Sequence, residues 1–219
     1  MVSASIKSSE IRFGECNKKL LEEVIFYGIS LGADFVELFI ENSDNSSVLA
    51  EEDFITNVSP SFGKGAGIRI FKDKRDGFVS TNDLSKLGLM RSISQAIEML
   101  DISKKTNTAI FNGLEKLKDY SKSKINWLKE VPTINEVSEK LLLSTKSLKK
   151  DKKVVVRKGS YARNWQEVII ASSDGTYATD IRLHQTVGLN IIANDAQYRS
   201  NGSRRFGSHG IPNEFRLWD

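Results

Sequence analysis

The sequence is poor in the residues that most often announce chemistry. Its 219 residues include a single cysteine, Cys16, so no intrachain disulfide can form. It has two histidines, His184 and His209. Neither is followed by glutamate, and neither has a second histidine four residues away. A helical zinc site needs that spacing to put both imidazoles on one face. No apolar run approaches the roughly 18 residues that span a bilayer. The opening MVSASIKSSEIRF has no apolar stretch of signal-peptide length. The expectation is a cytoplasmic protein that does not cross a membrane.

Phosphate-binding signatures are also missing. Residues 63–71, GKGAGIRIF, hold three glycines and a lysine. A dinucleotide fingerprint would need a third glycine where Ile68 stands, and a P-loop would need Ser or Thr after its Gly-Lys. The segment then alternates Ile68 and Ile70 against Arg69 and Phe71, which is strand spacing, so no helix N-terminus follows to hold an anion. Tight turning or close backbone approach at the start of the strand explains the glycines better.

Charge is present but unevenly spread. The formal net charge is +4, yet residues 1–102 carry 11 basic and 16 acidic groups, while 103–158 carry 15 and 6. The surplus therefore sits in one middle segment. It is lysine-rich, whereas planar recognition of phosphate or base edges favours arginine. A solvated linker or helix face is expected there, and nucleic acid is not expected as a partner.

The remaining pattern is mixed. Residues 17–32 repeat apolar positions with helical spacing, with Asn17 placed to cap and Gly32 to terminate. ADFVELFIEN alternates as a strand, NSDNSS reads as a turn, and SVLAEE as a returning strand. KDKRDG turns the 66–72 strand into GFVST. A helix capped by Asn82 or Asp83 follows to about Ile102, with a stripe of Leu84, Leu87, Met90, Ile97 and Leu100. Thr133 and Glu136 form a capping box before a helix that buries Ile134, Val137, Leu141 and Leu148. From 153 onward four strands are expected, near 153–161, 165–172, 176–184 and 186–194, with SSDG as a turn and a glycine-rich loop at 202–210.

The fold class read from this is α+β, with mixed or antiparallel sheets, packed helices and a strand-rich C-terminal part. The expected division is an α+β domain over 1–150, including a basic linker at 103–132, and an antiparallel meander over 151–219 that begins a second domain. No catalytic constellation is visible. Cys16 reads as a small packed apolar group. His184, in an alternating strand, reads as packed or hydrogen-bonded, and His209 as a loop residue. A cleft enzyme using either histidine stays open as a third reading.

The order of GADFVELFIE, GAGIRIF with GFVSTNDLS, EVIIASSDG and DIRLHQTVGLNIIAND resembles the N-terminal half of the TldD/PmbA family, its TldD branch more than its PmbA branch. These proteins were once labelled modulators of DNA gyrase and are regarded as zinc metallopeptidases. The resemblance implies a chain that stops short of the family's HExxxH-bearing catalytic region. No catalytic or metal-binding residue carries over, and zinc is expected only in a full-length member. The implied role is subunit assembly with a related subunit and admission of unfolded peptide. An exposed strand edge can take an extended peptide through main-chain hydrogen bonds, with strands near 66–72 and 165–194 as candidates. The peptide-contact candidates are Arg69, Ser173, Asp174, Gly175 and His184. The competing reading is a regulatory or binding module that contacts a protein or nucleic acid through the lysines of 103–158.

Overall fold

The computed structural model describes residues 13, 16–100, 109–117, 131–195 and 197–209. Three α-helices and seven strands lie among them: α1 (Lys18–Ser30), β1 (Phe35–Glu51), β2 (Phe54–Lys72), β3 (Arg75–Thr81), α2 (Lys86–Met99), β4 (Glu115–Lys116), α3 (Ile134–Ser147), β5 (Val154–Ser172), β6 (Thr176–Asp195) and β7 (Tyr198–His209). The strand order is β3-β2-β1-β5-β6-β4, and β7 also pairs with β6. β2–β3 and β6–β7 are antiparallel, whereas β4 runs parallel to β6. The fold class is α+β, as the sequence implies.

The chain forms two compact units, each assembled from three segments. Residues 1–42, 63–120 and 167–180 make the first, and 43–62, 121–166 and 181–219 make the second. The long strands β1, β2, β5 and β6 therefore contribute to both.

In the first unit α1 and α2 bury Leu21, Val24 and Ile25 with Leu89, Ile93 and Ala96 on Val36, Leu38, Ile40, Ile68 and Ile70. The Asn17 side chain accepts the Leu20 N–H, and Gly32 (φ 106°) follows the helix end, as the spacing predicts. The α2 stripe differs from its expected phase. Ser85 is the cap, the buried face is Leu89, Ile93, Ala96 and Ile97, and Leu87 is 66% exposed. Asp83 instead accepts the Ser85 N–H (3.0 Å), so it shapes the turn that precedes the cap.

The second unit has its own core. α3 lays Val137 and Leu141 on Val48, Ala50, Tyr161 and Val187. Burial of each valine or leucine among them stabilises by about 1.5–3 kcal/mol. Thr133 and Glu136 form the capping box. Beneath the helix, Arg157 is 4% exposed and donates to Glu52, to Asp53 (3.4 Å) and to the Thr145 carbonyl (3.2 Å).

Five expected breaks are absent. NSDNSS lies inside β1, and the chain reverses at Glu52–Asp53 instead. Gly63, Gly65 and Gly67 lie inside β2. The expected pairs 153–161/165–172 and 176–184/186–194 are single strands, and the 202–210 glycine-rich loop is mostly β7. Cross-strand partners override local turn preference. Within β1, Asp44 accepts from Arg163 (3.2 Å) and Asn45 from Asn164.

Candidate functional site

Among the described residues, the second unit covers one sheet face with α3 and leaves the other open. Along β6, Leu183, Gln185 and Val187 are buried, so the alternating His184, Thr186, Gly188 and Asn190 project to the open side. β7 continues that face, pairing His209 with His184, Arg205 with Gly188 and Ser203 with Asn190. A groove of about 400 Å³ runs over it, lined by Leu49, Lys158, Ser160, Gly188, Asn190 and Arg205, among others. Gly188 leaves room at the groove floor for the Ser160 hydroxyl. A Cβ there would sit 2.7 Å from Ser160 Oγ. Glu51 pairs with Lys158 at 3.1 Å, and Arg204 and Arg205 add positive charge at the rim. This lining suits carbonyl oxygens or a carboxylate.

Two strand edges border the same unit. β7 has β6 as its one strand partner among the described residues. β2 pairs with β3 only over Ala66–Lys72, so residues 54–62 have no strand on that side among the described residues. Those residues present Phe54, Val58 and Phe62, exposed by 72, 44 and 76%. Their even spacing puts all three on one face.

The peptide-contact candidates divide between the units. Arg69, Ser173, Asp174 and Gly175 lie in the first unit and His184 in the second. Arg69 is held by Asp76 (3.1 Å) and its guanidinium lies 4.6 Å from the centre of the Phe71 ring. Ser173 Oγ accepts the Val36 N–H at 3.0 Å. The Asp174 carboxylate accepts the Ser172 hydroxyl (2.6 Å) and the Thr176 N–H (3.0 Å). These bonds, the Ser172 hydroxyl first, hold its pKa below the usual carboxylate range. Gly175 has φ 99°, which the turn requires.

The strand candidates shift. Residues 66–72 are flanked by β1 and β3, and β5 by β1 and β6, so their main-chain groups already have ladder partners. Among the described residues the edges that can accept a strand include β3 in the first unit, and β7 and the first half of β2 in the second. The sequence signal for the β2 edge is its spaced Phe54, Val58 and Phe62. β7 carries none, because its glycines and serines read as loop.

His209 is not a loop residue: it ends β7 with its Nδ1 3.2 Å from that of His184. Cys16 is buried, which pushes its thiol up to about 11 and leaves it a poor nucleophile. No group of three or more His, Cys, Asp or Glu side chains among the described residues could hold a metal ion. A catalytic zinc takes three protein ligands, so these residues do not compose one. No helix among them is long and apolar enough to cross a membrane.

Two family models match. PmbA/TldA metallopeptidase domain 1 covers residues 36–100, and the PmbA/TldA metallopeptidase central domain covers 114–218. The chain belongs to the PmbA/TldD metallopeptidase family. The Metalloprotease TldD homolog of Haemophilus influenzae is 24% identical over 187 residues, which are 84% of this chain and 37% of that protein. A metalloprotease of Methanocaldococcus jannaschii is 24% identical over 81% of this chain and 40% of its own length. Among solved structures, TldE from Thermococcus kodakarensis matches with TM-score 0.70 and 21% identity over 89% of this chain and 44% of its own. A candidate modulator of DNA gyrase from Thermotoga maritima matches with TM-score 0.73 and 16% identity over 90% and 44%. The chain thus spans less than half the length of these PmbA/TldD relatives.

Proposed function

We propose that this chain serves a PmbA/TldD-type metallopeptidase of the cytoplasm as its assembly and substrate-admitting portion. Unfolded peptide would lie extended against the second unit and hydrogen-bond through its main chain, with a related subunit as neighbour. The zinc that the family name implies would be held by residues outside the two matched domains. The reading rests on one observation: β7 and residues 54–62 of β2 present strand edges in the unit that carries the groove lined by Lys158, Ser160, Asn190 and Arg205. Edge strands left bare invite pairing with any extended chain, and main-chain pairing accepts many sequences.

The lysine-rich alternative has less to stand on. Lys149, Lys153 and Lys158 are paired with Asp53 (3.3 Å), Asp195 (2.7 Å) and Glu51 (3.1 Å). Residues 118–130, which hold several of the other lysines, lie outside the described residues.

Hydrogen exchange with an unstructured peptide tests the proposal. Protection is expected at amides of 54–62 and 198–209. If peptide in excess leaves both segments unprotected, the substrate-admitting role is lost.

A further inference from the structure

The chain's two histidines, 25 residues apart in sequence, meet across the β6–β7 ladder. They are direct register partners, and the register continues unbroken to Asp195↔Tyr198. Their ring centroids lie 4.3 Å apart and their Nδ1 atoms 3.2 Å apart. Both residues are exposed, so a solvated ion can reach them.

That nitrogen separation has chemical content. Two ligands at about 2.0–2.1 Å from one zinc span roughly 3.3–3.4 Å at tetrahedral angles, and about 2.9 Å at right angles. The observed value falls between these, while the 4.3 Å centroid separation is shorter than the roughly 5 Å of such a chelate, so the rings would splay as they bind. Imidazole suits Zn2+, Ni2+ and Cu2+, and affinity among them is highest for Cu2+. In the metal-free pair one Nδ1–H donates to the other Nδ1. A metal ion would be bound by both Nδ1 lone pairs, the donating ring passing its proton through solvent to its own Nε2, so that both imidazoles stay neutral.

We propose that His184 and His209 form a two-ligand site for a divalent transition-metal ion, with solvent completing the coordination. It does not depend on the peptide-binding reading. The ion would staple the end of β7 to β6, since it bridges the two strands at their last paired position. Arg182, two residues before His184 on the same face, is turned to Gln166 Oε1 at 3.3 Å. Its charge opposes a cation, so binding should be weaker than at a three-ligand site.

The test is titration of the 219-residue chain with Cu2+ and Zn2+, beside His184→Asn and His209→Asn. Each single variant should weaken Cu2+ binding at least tenfold, and the double variant should add little, because one imidazole alone cannot chelate. Electron paramagnetic resonance of the Cu2+ complex should show two nitrogen donors in the parent chain and fewer in either variant. Metal should also slow amide exchange in β7 of the parent alone. Equal affinity in parent and single variants, or an unchanged nitrogen pattern, would overturn the site. Both side chains are exposed and outside the core, so loss of folding would not mimic loss of binding.

Discussion

Arg157 shows how one buried charge organises the second unit. Its guanidinium sits beneath α3 with Glu52, Asp53 and the Thr145 carbonyl as acceptors. Removing a partner from a buried cation is costly, because the charge stays behind without compensation. Glu52 is itself 38% exposed at its side chain, which reduces the cost. Glu52→Gln should therefore lower stability at neutral pH by about 2 kcal/mol, read as a shifted urea midpoint. Acid should act at the same place. The Glu52 carboxyl is held below its usual range, first by the Arg157 backbone N–H and then by the guanidinium. A depressed folded pKa gives stability that is fully present above the unfolded value, about 4.3, and is lost as pH falls through the folded one. Asp34, bonded to Lys72 and the Asp73 N–H, follows the same rule in the first unit. The parent should lose stability below about pH 4, and Glu52→Gln should lose less over that range. Identical acid slopes would remove Glu52 from the account.

Elements were legible where a single periodicity held. The caps of α1 and α3 and the β2–β3 hairpin follow directly from Asn17, Thr133–Glu136 and KDKRDG. Three of the misread breaks share one cause. NSDNSS, SFGKG and residues 162–164 fall at or near residues 42–43, 62–63 and 166–167, where continuous strands pass from one unit to the other. Local pattern alone renders such stretches as turns, whereas cross-strand partners keep them extended. The pairing of His184 with His209 was likewise hidden, since it depends on a β6–β7 register that the sequence does not announce. At the start of α2, Gly88 is set by space. A Cβ on it would lie 2.2 Å from Asp83 Cγ and 2.6 Å from the Asp83 carbonyl oxygen. Gly88→Ala gains up to about 1 kcal/mol in helix propensity, but overpacking of this kind costs about 1–3 kcal/mol. A net fall in melting temperature is expected, and a rise would contradict the close approach.

At the scale of the molecule, the two units ask different things of a partner. The first buries β1 and the second half of β2 between neighbours and ends in the edge strand β3. The second exposes one sheet face, a groove and two edges. If main-chain pairing governs admission, peptides of unrelated composition should bind with similar affinity, within about tenfold. Strong discrimination by side chain would instead assign recognition to the groove. The most direct measurement compares one unstructured peptide with its backbone N-methylated counterpart, by amide exchange on the 219-residue chain. The account predicts that the unmodified peptide protects residues 54–62 and 198–209 and that N-methylation abolishes this, since each methyl removes a ladder donor. Equal protection by both peptides would contradict it.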